Sequence, residues 1–133
     1  MSTQTQVSPS SKAMVRTGYA LSALAALFFL MDGGMKLAKP PVVVDATTKL
    51  GYSANAIIPL GIVLIVCTLL YLLPRTTVLG AILLTGYLGG AVATHVRASG
   101  TWFEILFPIV FGALVWGGLY LREARVREIV PLR

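Results

Sequence analysis

Four long stretches of this chain carry almost no charge, and the two clearest, Leu50 to Pro74 and Thr76 to Val96, are separated by Arg75 alone. About 20 apolar residues cross a hydrocarbon core as a helix. A chain of 133 residues has too little interior to hide four such segments in a soluble fold. The expected class is therefore an all-α membrane protein: an antiparallel four-helix transmembrane bundle with a short interfacial segment between helices 1 and 2. Composition agrees, with 56% hydrophobic and 12% charged residues. Most of the chain is spent in the bilayer, which leaves no room for a separate soluble domain.

The net charge of +6 is read as a topology signal and as contact with anionic lipid headgroups, not as a nucleic-acid footprint. The single cysteine, Cys67, cannot form an internal disulfide or a cysteine metal cluster. Mid-span, it reads as a small buried apolar residue.

Residues 1–15 (MSTQTQVSPSSKAMV) are polar and without apolar period, and a disordered tail is expected there. A transmembrane domain spans 16–122, with spans at about 16–38, 54–73, 77–97 and 102–121. Lys12 and Arg16 precede an apolar run as in a secretory signal, but Met31-Asp32-Gly33-Gly34-Met35-Lys36 follows in place of a small-x-small cleavage site. The run is expected to remain as span one. Residues 123–133 form a basic tail with a short helical extension.

The one long connection is KPPVVVDATTKLGYS, Lys39 to Ser53. Pro41 suits the first position of a short helix and Gly51 its close, which would put Val43, Thr47 and Leu50 on one face. An ordered loop is the other reading. The remaining turns, at Pro74–Thr77 and Ala98–Thr101, are short and force antiparallel neighbours.

Lys12, Arg16, Arg75, Arg122, Arg125, Arg127 and Arg133 fall on one side of such a bundle, and Lys36, Lys39, Lys49 and Arg97 on the other. This bias places both termini in the cytoplasm of a bacterial inner membrane protein. Tyr19, Tyr71 and Tyr120 are expected at the inner interface, and Tyr52 and Trp102 at the outer one. Small residues recur every four positions at Gly18, Ser22 and Ala26, at Gly86, Gly90 and Thr94, and in span four at Gly112 with Trp116 and Ala113 with Gly117. Such stripes suit close helix packing, within the chain or in a homo-oligomer.

The antiparallel path also collects Asp32, Lys36, Asn55, His95, Arg97 and Glu104 at one end of the bundle. Ionisable groups at this depth are costly unless paired or hydrated, which makes them candidate ligand-binding residues. Asp32 and Lys36 have ion-pair spacing on one helix. Arg97 follows the Gly86–Gly90 stripe toward a close helix contact. Pro108 and Pro59 are expected to free the carbonyls of Glu104 and Asn55. The alternative is that Asp32–Lys36 and Arg97–Glu104 are pairs that only close the bundle, with Lys36 and Arg97 snorkelling. One histidine without cysteine partners speaks against a metal site and excludes haem with two histidine ligands from one chain. No phosphate loop, nucleophile elbow or paired-carboxylate pattern stands out.

The runs FFLMDGGMKL, PPVVVDATTKLGYS, YLLPRTTVLGAILLTGYLGGAVATHVR and FPIVFGALVWGGLYLR together resemble the DoxX-like family, over about Gly18 to Arg133. LGAILLTGYLGGAVATHVR, Leu79 to Arg97, is the most specific part. The resemblance implies a small bacterial four-helix membrane protein. The family takes its name from a subunit linked to thiosulfate oxidation with quinone as acceptor, and some relatives are associated with membrane oxidoreductase complexes and oxidative-stress defence. Fold resemblance does not transfer an activity.

Two functions follow as expectations. One is a membrane-embedded site for a quinone or a similar amphipathic molecule: His95 and Arg97 donate to a carbonyl oxygen, Asp32 or Glu104 takes a proton, and electrons come from a partner. The other is a non-catalytic subunit or assembly factor of a membrane complex, with Arg122, Arg125 and Arg127 gripping lipid headgroups or an acidic partner. A transporter ranks third, since four spans leave little space for alternating access.

Overall fold

The computed structural model describes residues 11–129. Four helices are long and apolar enough to cross a membrane. In chain order the helices are α1 (Lys12–Ala38), α2 (Pro41–Lys49), α3 (Ile57–Leu72), α4 (Thr77–Arg97), α5 (Trp102–Arg122) and α6 (Ala124–Ile129), with a 3-10 turn at Ala54–Ala56 ahead of α3. No strand occurs among the described residues. The protein is an all-α, multi-pass membrane four-helix bundle.

α1 starts earlier than hydropathy suggests. The Ser11 hydroxyl accepts from the Met14 N–H at 3.1 Å and caps the helix. Lys12 to Val15, expected in the polar tail, are thus helical, while residues 1–10 of that tail and the last four residues of the basic one lie outside the described residues. α1 ends on Lys39 in the left-handed conformation (φ 53), whose N–H returns to the Met35 carbonyl. Pro40 cannot continue the helix, and Pro41 opens α2 at its first position. The connection between spans one and two is therefore a helix, closed near Gly51 (φ 95).

The short turns are stabilised by their own side chains. In the Pro74–Thr77 turn, the Thr76 hydroxyl donates to the Leu70 carbonyl at 2.8 Å and the Thr77 hydroxyl to the Leu73 carbonyl at 2.7 Å. The first satisfies a carbonyl that the end of α3 would otherwise leave open, and the second joins the Thr76 N–H on the Leu73 carbonyl. At the other end, Thr101 and Glu104 form a reciprocal capping box on α5.

α1 packs on α3 and α5, α3 on α4, and α4 on α5, which closes a four-membered ring. The ring is tightest near the chain termini. There a Cβ on Gly118 would lie 2.8 Å from the Gly18 carbonyl oxygen, and one on Gly80 would fall against the Tyr71 backbone. Tyr71, expected at the inner interface, is instead fully buried. Its hydroxyl donates to the Val115 carbonyl (2.8 Å) and lies 2.7 Å from Ser22 Oγ, tying α3 to α5 and α1. Hydrocarbon offers no partner for a phenol, so the bundle interior supplies two.

The small-residue stripes divide. Gly18, Ser22 and Ala26 are all buried, and Gly18 and Ser22 meet α5 in a close helix contact. Their notch on α5 is Gly118, not Gly112 or Gly117, which have only one distant side-chain neighbour each. Gly86 and Gly90 meet nothing within 4 Å. Their stripe is not a helix contact within the chain, and Arg97 at its end is exposed.

Candidate functional site

Toward the α2 end the ring opens into a cavity of about 600 Å³. Its walls come from α1, α4 and α5, with Leu60 of α3, and Val42, Val43, Ala46 and Thr47 of α2 close its end. Pockets of this size suit a small organic ligand.

The deep part is aromatic. Phe28 of α1 stacks on Phe111 of α5, with ring centroids 4.2 Å apart, and meets Phe107 edge-on at 5.2 Å. Phe29, Leu88 and Pro108 complete this part of the wall. Pro108 lies inside α5 and offers no N–H to the Glu104 carbonyl, as its spacing predicts. Pro59 behaves differently from expectation. It is the third residue of α3, where an N–H has no intrahelical acceptor, so the Asn55 carbonyl loses no helix bond.

The polar part lies toward α2. Lys36 Nζ donates to Asp32 Oδ1 at 2.8 Å, and both side chains line the cavity. The Lys36 side chain is only 15% exposed. Its Cβ region packs on Gly61 of α3, which fixes the stem and leaves the ammonium beside the cavity. An ammonium carries three donors, so the bond to Asp32 leaves two for other acceptors.

His95 enters from α4. Its Nδ1 is buried, with Glu104 Oε2 3.4 Å away. That separation is an electrostatic contact, and the atom makes no hydrogen bond. Glu104 is anchored in turn: its Oε1 accepts from the Thr101 N–H (3.3 Å) and hydroxyl (3.1 Å). The carboxylate thus sits behind the imidazole and favours a proton on Nδ1, which leaves Nε2 as the nitrogen that can meet a ligand.

Of the six candidate residues, the structure brings Asp32, Lys36 and His95 into one cavity. Glu104 touches it through His95. Asn55 and Arg97 are exposed and do not line it. Arg97 makes no ion pair with Glu104: the capping box turns Glu104 toward Thr101 and His95. The Thr101-x-x-Glu104 spacing carries that signal in the sequence.

Several lining residues escape a reading based on charge. Tyr52 and Thr94 line the cavity and bond to each other at 2.9 Å, and Tyr87 and Thr47 line it as well. Tyr87 shares a helical stripe with His95, which is the one sequence feature that points to it.

Among the arginines near the termini, Arg122 is half-buried, with its guanidinium carbon 4.7 Å from the Tyr19 ring centroid and 5.7 Å from that of Tyr71. Arg127 is turned inward, and its Nη1 donates to the Tyr120 and Leu121 carbonyls at 2.6 and 3.2 Å. It closes the C-terminal end of α5. Arg125 is exposed.

No curated protein and no solved structure matches the chain. The model of the DoxX-like family matches residues 20–118, a stretch that includes the whole cavity wall, and the chain belongs to that family.

Proposed function

We propose that the protein binds an amphipathic small molecule of the quinone type in the cavity bordered by α2. The carrying observation is that Asp32, Lys36 and His95, from two different spans, open onto one aromatic-lined space of about 600 Å³. A flat, oxygenated ring fits that chemistry. Phe28, Phe107 and Phe111 offer ring faces and edges. Lys36 and His95 offer hydrogen bonds to ring oxygens, and Asp32 and the Glu104–His95 pair stand beside them as proton acceptors. Orienting groups at this depth are worth more than in water, because hydrocarbon provides no competing partner.

The distribution of Lys and Arg supports a cytoplasmic location for both termini in a bacterial inner membrane, and so an outer-leaflet position for the cavity. A membrane-protein partner that exchanges electrons with the bound ligand completes this reading.

The test is titration of purified protein with a short-chain benzoquinone analogue, followed by intrinsic fluorescence. Saturable binding is expected, weakened at least tenfold by His95→Ala and by Lys36→Met and unchanged by Arg97→Ala. Equal affinity in all four proteins removes the reading.

A further inference from the structure

Gly86, Gly90 and Thr94 stand four residues apart on one stripe of α4. At the outer end of the stripe the Tyr52 hydroxyl meets Thr94 Oγ1, which itself donates to the Gly90 carbonyl at 2.7 Å. Below that clasp the stripe is bare. Gly86 and Gly90 both line the cavity, both are exposed, and a Cβ on either would meet nothing within 4 Å. With no side chain at either position, the cavity wall is left open along this stripe. These two lie well inside a membrane-spanning helix, so the opening faces lipid chains.

The aqueous approach is different. α2 borders the cavity at that end, with Val42, Val43, Ala46, Thr47 and Leu50 in its lining and Asp45 and Lys49 exposed and outside it. Two prolines and the Lys39 turn precede this segment, and Gly51 follows it.

We infer that the cavity is entered sideways from the bilayer over Gly86 and Gly90, and that its ligand is an amphiphile with one long hydrocarbon chain. The head lies among His95, Lys36 and Asp32, and the chain leaves through the slot that the two missing side chains create. The inference rests on the ligand-binding reading above and adds to it the route and the chain. His95 and Gly86 are separated along α4 by about 13 Å at 1.5 Å per residue, so the chain must be long enough to run from head to slot. A bare ring would leave the apolar half of the cavity unfilled, and apolar burial scales with area.

The test uses the full chain in liposomes and two ligands with one benzoquinone ring, one bearing a decyl chain and one bearing none. The wild-type protein binds the decyl compound at least tenfold more tightly. Gly86→Leu/Gly90→Leu abolishes the preference and brings the two compounds to the same affinity. Gly89→Leu, on the same helix with open space around it but outside the cavity lining, changes neither. An unaltered preference for the decyl compound in the double variant overturns the inference while the binding reading stands. A second measurement is independent of the head and of the variants: palmitic acid with a diazirine on its chain is photolysed in wild-type liposomes. Crosslinks on Phe107 or Phe111 support the slot even if no benzoquinone binds. Crosslinks confined to outward residues such as Ile82 and Leu83 overturn it.

Discussion

Glycine-to-alanine substitution should have opposite signs on two faces of this bundle. At Gly118 the added Cβ would lie 2.8 Å from the Gly18 carbonyl oxygen and 2.9 Å from the Ser22 nitrogen, and at Gly18 it would lie 2.6 Å from the Gly118 carbonyl oxygen. These neighbours are helix backbone, so they cannot rotate away as a side chain can. Ordinary contact needs α1 and α5 to separate by about 0.6–0.8 Å, and overpacking of this kind costs roughly 1–3 kcal/mol. Alanine regains up to about 1 kcal/mol through its better helix propensity. The net expectation for Gly18→Ala or Gly118→Ala is a loss of about 0.5–2 kcal/mol. At Gly90 the same methyl group meets open space, so only the propensity term remains and stability rises by a few tenths to about 1 kcal/mol. The assay is reversible unfolding in mixed micelles by titrated SDS, followed by helix circular dichroism. The reasoning fails if Gly118→Ala is as well tolerated as Gly90→Ala, because the close α1–α5 contact would then not be the structural lock.

Tyr71→Phe keeps the ring and removes both interhelical bonds, and should cost about 1–2 kcal/mol in the same titration. Ser22→Ala leaves the bond to Val115 in place and should cost about half as much; a larger loss for serine contradicts the assigned donor. Glu104→Gln removes the charge behind His95 while its amide oxygen can still cap α5; it should weaken benzoquinone-analogue binding several-fold, whereas Asn55→Ala should not change the fluorescence titration. Arg127→Met should release α6 from the end of α5 and speed trypsin cleavage after Arg125, whereas Arg97→Gln should leave that cleavage rate unchanged. The last two comparisons each pair a residue that the cavity or a helix end uses with one that it does not.

Much of the architecture is legible in the residues because the bilayer imposes it. Span length and apolar content are dictated by hydrocarbon thickness, and tight turns such as Pro74–Thr77 leave antiparallel neighbours as the outcome. Pro41 and Gly51 likewise point to α2. The same reasoning reaches the depth of Asp32, Lys36, His95 and Glu104, since antiparallel order alone brings the ends of α1 and α4 to the level where α5 begins. Local patterns extend further than hydropathy does: Ser11 marks a start for α1 that an apolar window passes over, and the Thr101–Glu104 box fixes where Glu104 turns.

The tertiary structure alone decides rotation about each helix axis. Hydropathy in lipid is nearly the same for every apolar face, so it does not say which face turns inward; packing of side chains and backbone does. That is why the Gly18 stripe is a helix contact and the Gly86 stripe an open wall, although both read alike in the sequence. It is also why Tyr71 is buried while Tyr19 is exposed, and why His95 lines the cavity while Arg97, two residues on, does not. Membrane thickness assigns residues to levels, and close contact between helices selects which of them share a site.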